Sequence, residues 1–219
     1  MVKCQDVTIA PLGLPGTLCL PSKAGGIVVF VHGSGSSRLS PRNVAVAEAL
    51  NSQGFATLLF DLLHPEEEAD RSNVFDIPLL AERLIAVVGW VDGNPQLRDL
   101  PVGLFGASTG AAAALVAAAA LGDRIGAVVS RGGRPDLADA ALEQVRAPTL
   151  LIVGGADFGV IELNEQAFAR LQSARALEIV PGASHLFPER GAMQAVIDHA
   201  GRWFAQHLHV APAGARRGR

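Results

Sequence analysis

The sequence predicts one α/β domain built around a mainly parallel β-sheet. Short apolar runs rich in β-branched residues recur along the chain and alternate with segments of helical spacing. Runs that are apolar at every position, such as residues 27–31, suit strands covered on both faces. Hydrophobic residues make up 49% of the 219 residues, so the chain has enough apolar surface to fold around a core.

The first half of the chain is expected to supply four strands and two helices. Pro41 is placed to open a helix that Gly54 ends. Residues 75–91 carry apolar side chains at helical spacing, whereas residues 64–73 form a polar, acidic loop. The expected strands are 7–10 and 16–20, joined as an edge hairpin by the turn 11–15, then 27–31 and 55–63; the expected helices are 41–53 and 75–91.

The second half continues the alternation of strand and helix. Residues 1–210 are expected to form a single domain with helices on both faces of the sheet and no large cap, and residues 211–219 a frayed tail. Ligands of open parallel sheets bind beyond the carboxyl ends of the strands, so the loops at those ends are the candidate site. The expected strands are 102–105, 125–130, 149–153 and 177–180; the expected helices are 111–121, 135–145, 161–172 and 189–207.

Residues 106–110, Gly-Ala-Ser-Thr-Gly, lie between a predicted strand and an alanine-rich helix. A serine on such a strand-to-helix turn is typical of a nucleophile, because small neighbours leave room for the turn and for substrate. The helix N-terminus also favours negative charge that develops on the serine. The alternative is that Ser108 only caps the helix. We therefore treat Ser108 as a candidate nucleophile that needs a base and an acid.

His185 is the best-placed base, because it lies in the short loop after the last predicted strand. His32 precedes a glycine at a strand end and is expected to make a structural hydrogen bond. His64, at another strand end, remains an alternative base. Surface positions on or beyond the final helix are expected for His199, His207 and His209.

Asp157 follows two glycines at the end of a strand and is the candidate orienting acid. There it can hold the Nδ1–H of His185 and stabilise the imidazolium. Two alternatives are that Asp157 caps the next helix and that Asp136, one strand earlier, is the acid. The chain order Ser108, Asp157, His185 is the one expected of α/β-hydrolases, which favours a catalytic triad over three separate structural roles.

An oxyanion formed on attack by serine needs two backbone N–H donors. The predicted donors are Thr109, directly after the nucleophile, and Ser34, in the glycine-rich loop 32–37. The same loop partly matches a dinucleotide cradle, but Arg38 stands where the third glycine belongs. No Gly-Lys-Ser/Thr follows, so the sequence also lacks a nucleotide triphosphate loop.

Composition argues against several partner classes. A net charge of −3 gives no electrostatic basis for binding nucleic acid or an anionic membrane. The N-terminus has no continuous apolar signal region, and the apolar window 111–121 is too short to span a membrane. Cys4 and Cys19 are interpreted as small apolar residues in a reducing compartment, with a single bridge between them left open. We expect a cytoplasmic protein.

The segments FVHGSGSSRLSPRN, LFDLL, GLFGASTGAAAA, VVSRGGRPDLA, TLLIVGGAD and GASHLF resemble the small dienelactone hydrolase-like group of α/β-hydrolases. The resemblance implies an eight-stranded sheet with one antiparallel strand near its start, and a triad of Ser108, Asp157 and His185. It implies neither a metal nor an organic cofactor.

Dienelactone hydrolase proper has a cysteine nucleophile, so Ser108 favours a serine esterase acting on small esters, lactones or thioesters. Dienelactone hydrolysis itself and a non-catalytic binding module are the alternatives. Three arginines near the predicted strand ends either bind a substrate carboxylate or phosphate or form structural ion pairs; they are Arg38, Arg131 and Arg134.

Overall fold

One eight-stranded sheet organises residues 1–208, which are the residues that the computed structural model describes. Its spatial order is β1-β2-β4-β3-β5-β6-β7-β8. Strand β2 is antiparallel to β1 and β4, and the other neighbouring pairs are parallel. This confirms a mainly parallel sheet with one antiparallel strand near its start; the predicted tail 211–219 and His209 lie outside the described residues. The strands are β1 Val2–Ile9, β2 Leu14–Pro21, β3 Ile27–Val31, β4 Ala56–Phe60, β5 Val102–Ala107, β6 Ile125–Arg131, β7 Thr149–Gly154 and β8 Arg175–Val180.

Helices cover both faces of the sheet, as the apolar strands require. Every residue of β3, β4, β5 and β7 is buried, because side chains on both faces pack against helices. The helices α3, α4 and α5 pack on one face and α1 and α6 on the other. The helices are α1 Pro41–Ser52, α2 Pro65–Glu68, α3 Ile77–Gly93, α4 Thr109–Leu121, α5 Val160–Arg170 and α6 Ala192–His207.

Several element bounds differ from the sequence prediction, the largest shift being that β1 begins at Val2 and not at residue 7, and two segments differ in the type of structure they form. The helix expected over 135–145 is a 3₁₀ segment, Pro135–Gln144, broken at Asp139, whose φ is 41°. The acidic loop expected over 64–73 contains the single turn α2. There Pro65 suits the first helical position, and the Glu67 side chain accepts the N–H of His64 at 2.9 Å. In both segments local hydrogen bonding determines the type of secondary structure, which hydrophobic spacing alone did not predict.

Helix α4 lies in the centre of the protein, and its alanines allow close packing against the sheet. Gly110, in its first turn, lies so close to the carbonyl of Val31 that a Cβ would overlap it. A Cβ on Gly106 would lie 2.5 Å from the Cα of Ala111. Small residues are therefore needed where β5 turns into α4. Six of the alanines are fully buried: Ala111, Ala112, Ala113, Ala114, Ala117 and Ala118.

Cys4 and Cys19 form a disulfide, so the expectation of reduced cysteines is wrong. The two residues are direct partners in the β1–β2 register, and their Cα atoms lie 4.0 Å apart. Cysteine usage therefore no longer supports a reducing compartment. Among residues 1–208, no helix has the length and apolar character needed to cross a lipid bilayer.

We predict that reduction of this disulfide destabilises the protein without unfolding the sheet. The bridge closes a sequence separation of 15 residues, for which chain-entropy estimates give about 3 kcal/mol. The free energy of unfolding, measured in guanidinium chloride, should fall by about that amount when reductant is added. A double variant, Cys4→Ser with Cys19→Ser, should have the same free energy of unfolding as the reduced protein, and adding reductant should not change it. Equal unfolding midpoints for the oxidised and reduced wild type would contradict the prediction.

Candidate active site

Ser108 lies at the sharp junction of β5 and α4 with φ 52° and ψ −123°, a conformation that residues with a Cβ avoid. Its N–H donates to the carbonyl of Arg131 at 3.3 Å, and its own carbonyl accepts the N–H of Arg134 at 3.1 Å. The Ser108 side chain makes no capping hydrogen bond to α4, so the helix-cap alternative is wrong. The end of β6 and the loop after it therefore hold the strained backbone, and the Ser108 hydroxyl makes no hydrogen bond to α4.

Gly33 sits directly against Ser108, because the loop after β3 crosses the turn at van der Waals distance. A Cβ on Gly33 would lie 2.8 Å from the Cβ of Ser108 and 3.6 Å from its Oγ. Contacts of 2.8 Å are not tolerated without a shift of one partner. The absence of a side chain at Gly33 thus keeps the space in front of the Ser108 hydroxyl open.

His185 and Asp157 form a short, direct hydrogen bond. The Nδ1 of His185 lies 2.7 Å from Oδ2 of Asp157, whose side chain is only 11% exposed. A bond at Nδ1 leaves Nε2 of His185 as the proton acceptor of a neutral ring. The N-cap of α5 is Gly159, not Asp157, so the second capping alternative is also wrong.

Contacts that sequence reasoning did not identify fix the loop that carries His185. Glu189 accepts two hydrogen bonds from Ser184, one from the backbone N–H at 3.1 Å and one from the hydroxyl at 2.6 Å. The hydrogen bond from the Ser184 hydroxyl lowers the pKa of Glu189 below its usual value. Phe187 anchors the loop in the core, 2% exposed and with φ 55°. Ser184 and Phe187 belong to the segment GASHLF and Glu189 lies just beyond it, but the contacts of all three depend on the folded loop.

Two glycines let the neighbouring loops approach the His185 loop. A Cβ on Gly132 would lie 2.8 Å from the carbonyl oxygen of His185. Gly154 lies even closer to the carbonyl of Ala183, where a Cβ would overlap it. Gly132 follows Arg131, whose carbonyl accepts the N–H of Ser108. The Ser108 turn and the His185 loop are thus joined through the end of β6.

Within residues 1–208, the Ser108 hydroxyl makes no hydrogen bond, including none to His185. Ser34 is brought to the turn, but its N–H donates to Oγ1 of Thr109 at 3.0 Å. Thr109 is the first residue of α4, so its own N–H has no acceptor within the helix. Both predicted oxyanion donors therefore lie beside Ser108, with the Ser34 N–H already bonded to a hydroxyl.

His32 has the structural role expected for it, and the alternative base His64 is hydrogen-bonded elsewhere. His32 is buried, its Nε2 accepts the N–H of Leu62 at 3.1 Å, and its Nδ1 lies 3.0 Å from the carbonyl of Gly33. Burial lowers the pKa of His32, which keeps the ring neutral and in a structural role. The Nε2 of His64 lies 2.9 Å from the carbonyl of Leu12, on the β1–β2 turn.

The alternative acid is also occupied. Both carboxylate oxygens of Asp136 accept hydrogen bonds from Arg134, at 2.9 and 2.8 Å. Arg38 is paired in the same way with Asp61, through its backbone N–H at 2.7 Å and its Nη1 at 2.8 Å. Two of the three arginines singled out in the sequence are therefore structural ion pairs.

A narrow cleft opens beside Ser34 and is lined by the loop after β3 and by apolar side chains, among them Leu63 and Leu80. Its free volume of about 10 Å³ is room for one water molecule. A much larger hollow, about 830 Å³, lies at the amino ends of the strands near Asp123 and Arg146. None of the candidate catalytic residues lines that hollow, so the chemistry of the site and not the size of the hollow identifies the candidate active site.

Exposed apolar side chains surround the carboxyl end of the sheet. Phe158, next to Asp157, is 83% exposed, and Leu186, next to His185, is 46% exposed. Three more exposed apolar residues follow β3, β4 and β6 at the same end: Leu39, Phe75 and Leu137. We call these five residues the apolar rim.

Within residues 1–208, no three His, Cys, Asp or Glu side chains are grouped as a metal site would require.

The order of the sheet and the serine on the β5–α4 turn define an α/β-hydrolase fold. A sequence profile of the dienelactone hydrolase family matches residues 14–207, and the chain belongs to that family. It is 53% identical to a dienelactone hydrolase from Anabaena variabilis, whose crystal structure matches 95% of this chain and 99% of its own with a TM-score of 0.91. Est1E from Butyrivibrio proteoclasticus, in a complex with ferulic acid, shares the fold at 18% identity and a TM-score of 0.79, covering 93% of this chain and 98% of its own.

Two Mycobacterium tuberculosis proteins are 59% identical to this chain over 203 residues. Both are provisionally named phosphoribosyl transferase. The match covers 93% of this chain but 46% of each relative, so the chain spans about half the length of these curated relatives.

Proposed function

We propose that this chain is a serine hydrolase that cleaves small ester, lactone or thioester substrates through an acyl-enzyme. One observation carries the proposal: Ser108 is held in a strained turn with an unbonded hydroxyl, on the same edge of the sheet as the bonded pair His185 and Asp157. Strain of this kind persists only where surrounding contacts impose it, and it is concentrated at functional sites. Membership of the dienelactone hydrolase family supports the same reaction class.

In the proposed mechanism, Nε2 of His185 takes the hydroxyl proton as Ser108 Oγ attacks the substrate carbonyl. Asp157 holds Nδ1–H and stabilises the imidazolium that forms. His185 then protonates the leaving group, which gives the acyl-enzyme. Water, deprotonated by His185, attacks the acyl-enzyme, and release of the acid returns the proton to Ser108.

We propose that the N–H groups of Thr109 and Ser34 stabilise the oxyanion. The Thr109 N–H lies at the N-terminus of α4, where the helix dipole also favours negative charge. The Ser34 N–H would exchange Oγ1 of Thr109 for the oxyanion when substrate binds. Such a charge-assisted hydrogen bond is stronger than the neutral one that it replaces.

Three alternatives are less well supported. The fold of this chain is compatible with dienelactone hydrolysis. Dienelactone hydrolase proper, however, has a cysteine nucleophile where this chain has Ser108. The name phosphoribosyl transferase belongs to proteins more than twice as long as the matched region, and the dienelactone hydrolase profile lies within the matched region. A non-catalytic module has no need of the bonded Asp157–His185 pair beside a strained serine.

The central test compares variants of the proposed triad on short p-nitrophenyl esters. Ser108→Ala and Asp157→Asn should each lower kcat by about 10⁴-fold, because the nucleophile or the tautomer of the base is lost. Asp136→Asn is the matched control and should stay within about threefold of wild type, since Asp136 is bonded to Arg134. Turnover by Ser108→Ala at the wild-type rate would eliminate Ser108 as the nucleophile.

A fluorophosphonate probe separates hydrolase from binding module. The wild type should be labelled at Ser108 and the Ser108→Ala variant should not. A folded wild type that is never labelled would support the non-catalytic alternative instead.

We expect Gly33→Ala to inactivate the enzyme through contact with the nucleophile. The new Cβ would lie 2.8 Å from that of Ser108, so either the loop or the turn must move. A displacement of about 1 Å costs on the order of 100-fold in kcat. Gly25→Ala is the control, because a Cβ there meets nothing within 4 Å and kcat should be unchanged. Equal kcat values for the two variants would show that the space at Gly33 is not required.

The apolar rim is proposed to bind the apolar part of the ester. Phe158→Ala should raise KM for a p-nitrophenyl octanoate by about 5- to 10-fold, since it removes apolar contact area, and leave p-nitrophenyl acetate unchanged. Val2→Ala is the control, because Val2 is 40% exposed but begins β1 at the amino end of the sheet, opposite the loops at the carboxyl end. The same KM increase for both esters, or for both variants, would refute a role for the rim in recognising the chain.

A further inference from the structure

Arg131 is a buried cation that no carboxylate in residues 1–208 neutralises. It ends β6, it is 5% exposed, and its hydrogen bond is from Nη2 to Oδ1 of Asn43 at 3.1 Å. Burial, together with repulsion from Arg42, lowers its pKa to about 10. An uncharged amide cannot offset the cost of burying a guanidinium, so Arg131 lacks the partner that a structural arginine has.

Arg42 also has no carboxylate partner in the described part of the chain, and it lies beside Arg131. It precedes Asn43 in the first turn of α1, and its Nε is buried without a hydrogen-bond partner in the described part of the chain. It lines a surface groove together with Ser40 and Glu68, and it forms no ion pair with Glu68. Arg38 and Arg134, at the same edge of the sheet, are both paired with aspartates. Of these four arginines, only Arg42 and Arg131 have no acidic partner in the described part of the chain.

We infer that Arg42, Arg131 and the first turn of α1 form a binding subsite for a phosphate group. Two guanidinium groups leave two positive charges without an acid, and the helix N-terminus adds partial positive charge. A phosphate monoester carries close to two negative charges at neutral pH and accepts forked hydrogen bonds from arginine. A carboxylate would neutralise only one of the two cations.

The subsite adjoins the proposed nucleophile. The carbonyl of Arg131 accepts the N–H of Ser108 at 3.3 Å, and Gly132, the next residue, packs on His185. Gly35 lines both the groove that holds Arg42 and the cleft beside Ser34, so a ligand at Ser108 can extend along the loop after β3 toward Arg42. That the phosphate belongs to the hydrolysed ester rests on the proposed function, whereas the binding of phosphate by the two arginines does not.

The binding test uses the Ser108→Ala protein, so that it does not depend on turnover. Inorganic phosphate is titrated calorimetrically against a chloride buffer of equal ionic strength. Arg42→Gln and Arg131→Met should each weaken phosphate binding about 10- to 100-fold, the loss expected for a charge-assisted hydrogen bond. Phosphate that binds both variants as tightly as the parent protein, or does not bind the parent, overturns the proposal.

Arg202→Gln is the matched control for loss of one positive charge. Arg202 borders a hollow with Gln53, which is the C-cap of α1. The 12 residues of α1 separate it from Arg42 by roughly 18 Å. Phosphate affinity should be unchanged in this variant. An equal loss in Arg202→Gln would mean that net charge, not a site, attracts phosphate.

Thermal unfolding distinguishes a ligand site from a structural role of Arg131. Without phosphate, Arg131→Met should unfold at or above the wild-type Tm, because an unpaired buried charge has been removed. If Arg131→Met instead fails to fold, Arg42→Gln alone decides the question, since Arg42 is only partly buried. If Arg42→Gln then binds phosphate with wild-type affinity, the proposed phosphate subsite is wrong.

Two further measurements fix the ligand class and its link to the reaction. Acetate, titrated in the same way, should bind at least about 10-fold more weakly than phosphate, because it carries one negative charge; tighter binding of acetate overturns the assignment to phosphate. Phosphate should inhibit ester hydrolysis by the wild type competitively. If phosphate binds at the arginines without inhibiting, its assignment to the ester substrate is wrong, and if no ester is hydrolysed at all, the proposed function fails while the binding result stands.

Discussion

The strained backbone of Ser108 is the constraint on which the rest of the site depends. A residue with a Cβ adopts φ 52° and ψ −123° only when its surroundings hold it there. The Ser108 N–H is hydrogen-bonded to the last residue of β6, and the Ser108 carbonyl to the loop that follows. The residues on either side of Ser108 are small and do not obstruct the turn. The glycines around Ser108 and the alanines of α4 follow from this need, because a larger side chain would push the helix away from the sheet.

Backbone contacts, more than side-chain contacts, assemble the candidate active site. Gly33 touches the nucleophile, Gly132 touches the His185 loop, and Gly154 touches the carbonyl of Ala183. Each contact joins loops that follow different strands at one edge of the sheet. Parallel strands bring these loops together, and the close approaches then restrict their relative positions. The Asp157–His185 hydrogen bond is short because both loops are held in this way.

Charge is distributed unevenly at this edge. Arg38 and Arg134 are bound to aspartates, which explains their positions without any ligand. Arg42 and Arg131 are not, and the cost of burying the Arg131 guanidinium is the reason why we propose an external anion there. The apolar rim and this cationic pair together favour an amphipathic ligand over a purely apolar one.

The sequence by itself determined the order of strands and helices and the placement of Ser108, Asp157 and His185 at strand ends. These features depend on local apolar periodicity and on turn residues, which are written into short segments. Only the tertiary structure decided that Cys4 pairs with Cys19, that the N–H of Ser34 bonds to Thr109, and which arginines have acids. It also decided that residues 135–144 form a broken 3₁₀ segment. Each of these features depends on strand register or on contacts between distant loops. Register and distant contacts cannot be read from residues that are neighbours along the chain.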